Sequence, residues 1–289
     1  VGSSQLAEMG SWRALLLGGE FEAEDEDEPN CGGYAIQALS AVESLTVTDS
    51  TVTPKTIDAE LSLQGPLRAC NAPGSRSCAL ICREIDSSPV LNILDLASLD
   101  GSAASAEAII NLEAPSGWPC QVAPALAGCE AAAYAVGGKS HTGPSMLAWA
   151  WTGEGAWKPL PSLPQAASHL AVAAWSSGVI AAGGVTDSRD KTDAVFCFDS
   201  SRGEWLAWPQ LPQPAAYHGL CCTEDGRVWV AGGHGSERLL SGVWWLDPRQ
   251  GAWCAWPQGL RGPRWSHVLL PAPTGAANPS ILAAGGYGS

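Results

Sequence analysis

Short apolar runs alternate along the chain with clusters of Gly, Asp, Ser and Pro. Runs such as AVAAW at 171–175, VFCF at 195–198 and VWVA at 228–231 are too brief for a stable helix. They are also rich in β-branched and aromatic residues, so the pattern predicts strands joined by hairpin turns. The 33 glycines and 21 prolines interrupt the sequence too often for long helices. No apolar run approaches the roughly 18 residues of a membrane span, so direct membrane insertion is not expected. The expected class is all-β.

A repeat period decides how such strands are organised. Apolar runs end in glycine pairs at Gly137-Gly138, Gly183-Gly184, Gly232-Gly233 and Gly285-Gly286, and the second glycines are 46, 49 and 53 residues apart. Trp157, Trp205 and Trp253 recur at intervals of 48, each just after a turn glycine. His169, His218 and His267 follow those tryptophans by 12, 13 and 14 residues. One unit reads as four strands, His169–Trp175, Val179–Ala182, Asp193–Phe198 and Trp205–Trp208, and the next repeats this from His218 to Trp253. Pro-containing segments, PSLPQ and PQLPQP, cross to the following unit.

These units resemble kelch repeats, whose pattern is a first-strand His, a Gly pair after the second strand and a Trp in the fourth. The resemblance is carried by residues 131–289 and implies a kelch-type β-propeller: one domain over 1–289, six blades, the last incomplete because Trp265–Gly286 supplies only two strands. A lone four-stranded sheet cannot bury both faces, whereas a ring of them can. Glycines suit the crowded axis, and the tryptophans fill the widening gaps between blades. Residues 1–130 read as divergent blades. The first has strands at Trp12–Gly19, Val42–Thr48 and Ile57–Leu63, with an acidic loop over 20–33. The second has strands at Ala79–Cys82, Val90–Leu96 and Ala108–Leu112, with Arg83-Glu84 where a Gly pair is expected. Kelch units often carry Arg three residues before the His. Here that position is Ala166, Ala215 and Arg264, so an arginine cluster for acidic peptides is not expected.

Composition narrows the partners. Against 29 Asp and Glu stand 15 Lys and Arg, and the net charge of −14 repels nucleic-acid backbones. The segment Glu20, Glu22, Glu24, Asp25, Glu26, Asp27 and Glu28 lacks the spacing of an EF-hand and reads as a solvated loop. Ten irregularly spaced cysteines do not require a disulfide framework, which favours an intracellular compartment, cytoplasmic or organellar, over a secreted one. Cys197, Cys221, Cys222 and Cys254 read as small core hydrophobes. Cys70, Cys78 and Cys82 lack a fourth zinc ligand, while a Cys70–Cys78 hairpin disulfide remains open.

The candidate site is the face formed by the loops after the glycine pairs. It would display Lys139, His141, Asp187, Arg189, Asp190, Lys191, His234, Glu237, Arg238, Arg261, Arg264 and Tyr287, a mixed polar set suited to recognition. The repeat histidines His169, His218 and His267 are expected to bond to backbone at the start of each innermost strand. No metal or cofactor is expected, and no nucleophile or phosphate motif is present. The expectation is a noncatalytic protein-interaction scaffold within a larger assembly, binding other proteins by its loop face or by strand addition at the incomplete blade. The alternative, by analogy with galactose oxidase, is a metal-dependent oxidase or carbohydrate-active propeller. Its Tyr and His ligand set is not assignable to Tyr34, Tyr134, Tyr217 and Tyr287 from spacing.

Overall fold

The computed structural model describes strands within residues 12–112, residue 73, and then residues 113–119, 121–175, 178–271 and 281–288. Among these residues there is no helix. Sheet one has three strands in the order β1 (Trp12–Glu24), β2 (Tyr34–Val47) and β3 (Val52–Ile57). Sheet two has four, β4 (Leu67–Asn71), β5 (Cys78–Ile85), β6 (Ser88–Asp95) and β7 (Ala108–Leu112). In sheet three β8 (Ala125–Gly128) and β9 (Ala133–Val136) are followed by a separate ribbon, β10 (Lys139–Ser140) and β11 (Gly143–Pro144). The sheet is completed by β12 (Ala148–Trp151) and β13 (Lys158–Pro159). Sheet four runs β14 (Ala171–Trp175), β15 (Gly178–Ala182), β16 (Val195–Asp199) and β17 (Glu204–Trp208). Sheet five repeats it with β18 (Gly219–Cys222), β19 (Val228–Ala231), β20 (Val243–Asp247) and β21 (Ala252–Trp256). A ribbon strand β22 (Arg264–Trp265) precedes sheet six, which has β23 (Val268–Pro271) and β24 (Ile281–Ala284); β25 (Tyr287–Gly288) pairs back onto β22. All pairings are antiparallel between chain neighbours within a sheet.

The second strands explain why their sequences are apolar throughout rather than alternating. Val179 and Ala181 pack into the seam between sheets three and four, while Ile180 and Ala182 pack into the seam between sheets four and five. Val228 and Val230 join that second seam from its other side, and Trp229 and Ala231 turn toward sheet six. Sheets three, four and five are therefore each sandwiched between two others, and the core they share is a series of seams. The first strands β4, β8, β14, β18 and β23 touch one another in chain order, as radially stacked sheets require. The seam between sheets two and three is lined with indoles: Trp118 stacks on Trp149 at 5.3 Å, and Trp157 meets both Trp118 and Trp151.

Turns repeat as faithfully as strands. Between β16 and β17, Asp199 Oδ1 accepts hydrogen bonds from the Ser201 amide (2.9 Å) and hydroxyl (2.6 Å), and the turn closes at Gly203 with φ of 68°. Bonding to this carboxylate holds the Asp199 pKa below the ordinary value. Asp247 receives the Arg249 amide at 2.9 Å in the same turn of sheet five.

Several expected boundaries move. In sheet one, β1 continues past Gly19 to Glu24, so the front of the expected acidic loop over 20–33 is strand, with Glu20 opposite Ala38 and Glu24 opposite Tyr34. The extension makes β2 begin at Tyr34 rather than Val42, and β3 occupies Val52–Ile57 rather than Ile57–Leu63. In sheet two, β5 runs straight through Arg83-Glu84 to Ile85, because nothing there releases the strand. Cys70 is a free thiol, which excludes the Cys70–Cys78 disulfide.

Candidate functional site

The glycine pairs position the candidate face. Gly183 and Gly184 have φ of 61° and 107°, a region that L-residues with a side chain avoid. A Cβ on Gly183 would stand 2.3 Å from the Ala215 carbonyl and 2.7 Å from His218 of the next sheet. The pair therefore ends the strand, reverses the backbone and lets two sheets meet without intervening side chains. The Gly184 amide donates to the Ala215 carbonyl at 2.8 Å, and the Gly233 amide to the Arg264 carbonyl at 2.7 Å, so each pair is stitched to the following sheet.

A second stitch lies beside it. His169, Tyr217 and Ser266 all take positive φ, between 54° and 56°. The Tyr217 amide donates to the His169 carbonyl (3.0 Å) and the Ser266 amide to the Tyr217 carbonyl (2.8 Å). These three residues hold one repeat position, which corrects the expected alignment. His169 is equivalent to Tyr217 and Ser266, while His218 and His267 are equivalent to Leu170. The position three before them is accordingly Ala167, Ala215 and Arg264. The histidines also differ from expectation in their bonding. His169 Nδ1 lies 3.1 Å from Ser168 Oγ and its ring stacks on Tyr217 at 4.3 Å. Neither His218 nor His267 makes a ring hydrogen bond, because both rings are pressed into apolar seams against glycine.

From this framework the loops emerge at one end of the sheets. Lys139, Val185, His234 and Tyr287 each follow a glycine pair and bridge back to Val122, Ser168, Ala216 and Trp265 of their own unit. Lys139 and His141 are exposed, and His141 Nδ1 lies 3.1 Å from Gln121 Nε2. Asp187, Arg189 and Asp190 are exposed in a tight turn in which the Thr186 amide donates to the Asp190 carbonyl, with Arg189 at φ of 65°. Asp187 also abuts Gly143, so neighbouring loops touch. Glu237 and Arg238 are exposed, and His234 is half-buried with Nδ1 2.8 Å from the Gly235 carbonyl. Arg261 is exposed and Lys191 half-buried. Arg264 and Tyr287 are committed to the framework: Arg264 Nη1 donates to the Gly285 carbonyl at 3.0 Å, and Tyr287 stacks on Trp265 at 5.0 Å.

Two residues at this end were not anticipated. Tyr217 and Trp265 contact each other at 5.4 Å and link His169 to Tyr287 in one line of half-buried rings. Their signal in the sequence was the aromatic residue beside the repeat histidine position, hidden by the one-residue misalignment. Cys197 and Cys221 are buried and Cys70 and Cys222 half-buried, and their thiols resist ionisation. Burial pushes the Cys70, Cys197 and Cys221 thiols up to about 12, and Cys222 is raised in the same way. Among the described residues no three His, Cys, Asp or Glu side chains gather as metal ligands, and no helix is long and apolar enough to cross a membrane.

The kelch motif matches residues 216–256, from the bridge residue Ala216 to the end of β21, the whole of sheet five. The match supports a kelch-repeat family, and the succession of four-stranded antiparallel sheets is consistent with a kelch β-propeller. No curated protein matches it. Kelch repeats generally mediate protein–protein interaction, and the family is typically noncatalytic.

Proposed function

We propose that this chain is a noncatalytic interaction propeller of six blades, acting as a subunit or adaptor in a larger protein assembly. Its binding surface is the loop face carrying Lys139, His141, Asp187, Arg189, Asp190, His234, Glu237 and Arg238 around the aromatic line. The observation that supports it most is the double stitch of backbone hydrogen bonds between successive sheets, which fixes the bases of these loops. Loops held this way lose little conformational entropy on binding. Strand addition to the edge of β24 is a second mode, since sheet six has two strands among the described residues.

The test is affinity capture from cell extract with the intact protein and two charge-reversal variants. One carries Lys139→Glu, Arg189→Glu and Arg238→Glu on the loop face. The other carries Arg202→Glu and Arg249→Glu in turns at the opposite end of the sheets. The same proteins should be retained by the parent and the second variant and lost by the first. Equal capture by all three, or turnover of a small substrate by the purified chain, would overturn the reading.

A further inference from the structure

We propose that the seams joining sheets four, five and six form an acid-sensitive latch, held shut by the neutral rings of His218 and His267 and opened when these rings take up protons. His218 and His267 are each 5% exposed, and neither ring nitrogen of either residue has a hydrogen-bond partner. Each ring lies where one sheet meets the next. A Cβ on Gly183 of sheet four would sit 2.7 Å from His218 Cε1, and one on Gly232 of sheet five 2.8 Å from His267 Cε1. The same glycine pairs carry the stitches to Ala215 and Arg264, so the rings lie at the bonds that hold the seams.

Neutral imidazole fits this setting, and imidazolium does not. A charge placed there loses its hydration and finds no well-placed acceptor in exchange. The groups that act on the two rings oppose protonation. From sheet six, His267 faces His218; from the link before β23, Arg264 acts on His267; the Ala231 backbone beside His267 pulls weakly the other way and lies outside hydrogen-bond geometry. On the sheet-four side His218 meets Gly183, and on the sheet-five side His267 meets Gly219 and Gly232, all uncharged. Burial first, and then mutual repulsion with a protonated His267 at His218 and the Arg264 guanidinium at His267, hold His218 down at about 3 and His267 at about 4.

The sign follows from linkage. Opening exposes imidazoles of ordinary basicity, near 6.5, so between that value and the folded values the open state binds more protons. The contribution to closure is complete above pH 6.5 and falls as acid is added. A single ring multiplies the opening equilibrium by about a hundredfold between pH 7.5 and 4.5, since one pKa unit is a factor of about ten. Sheet four shows the insensitive version of the same joint, with Leu170 in place of the histidine.

The experiment compares the intact protein with His218→Leu/His267→Leu, which copies the Leu170 joint. Hydrogen-exchange protection of the amides of Gly184, Tyr217, Gly233 and Ser266 is followed from pH 7.5 to pH 4.5. Protection in the parent should fall by about a hundredfold or more relative to the variant, with little difference above pH 6.5. Equal pH dependence in the two proteins would overturn the proposal. Should the variant not fold, imidazole proton shifts of the parent decide: rings still neutral at pH 5 in the folded state support the latch. Rings that titrate near 6.5 without loss of protection defeat it.

Discussion

Sheet two and sheet four have the same number of strands, but they place their connections at opposite ends. In sheet four the glycine pair ends β15, and residues 183–194 form a loop before β16 begins. In sheet two β5 has no such pair, runs eight residues in register with β6, and returns after only residues 86 and 87. The wider interval between strands comes next, since β6 ends at Asp95 and β7 begins at Ala108. The glycine pair thus does more than fit a crowded axis. It ends a second strand early enough for a loop to exist on the candidate face.

The sharpest way to break this comparison is Gly183→Ala. The new Cβ meets the Ala215 carbonyl at 2.3 Å in a backbone conformation that already disfavours it. A loss of about 3 kcal/mol or more is expected in urea unfolding, from clash and strain together. Gly203→Ala separates the two causes, because φ there is 68° and nothing lies within 4 Å of the added carbon. It should cost only the conformational part, about 1–2 kcal/mol. A smaller effect is expected in sheet two. Replacing Arg83 and Glu84 with glycine should lower stability by about 1–2 kcal/mol through backbone entropy in the interior of β5. It should leave the tight return to β6 intact, as amide exchange along β5 and β6 would show. The smallest is Trp205→Phe, which removes the bond from Trp205 Nε1 to the Pro161 carbonyl (2.8 Å) while keeping an aromatic ring. About 1 kcal/mol is expected from thermal melts, and Trp253→Phe should match it, since Trp253 Nε1 donates to the Pro209 carbonyl at 3.0 Å.

The repeat was legible where each unit obeys the glycine rule. The strands of sheets four and five fall within about two residues of their expected places, because an apolar run bounded by Gly-Gly and an Asp turn has one way to pair. The histidine alignment failed by one residue. The intervals of 12, 13 and 14 from the tryptophans carried the warning, since counting to Leu170, His218 and His267 gives 13, 13 and 14. A leucine at an equivalent position does not stand out when the search is for histidines. Leu163 and Leu211, buried in the links after sheets three and four, were missed for a related reason: they lie among prolines and look like loop residues. Sheet one was the least legible, because β1 passes through Gly18-Gly19 with only a register shift between Leu17 and Gly19.

The pairing of Ile85 with Ser88 at the ends of β5 and β6 has a steric corollary for anything approaching the aromatic line. Above sheets three, four and five, the segments after the glycine pairs stand up as a parapet. At sheet two β5 and β6 stay paired to that end, with Ile85 opposite Ser88, so an approach to the aromatic line over these two strands meets no such segment between them.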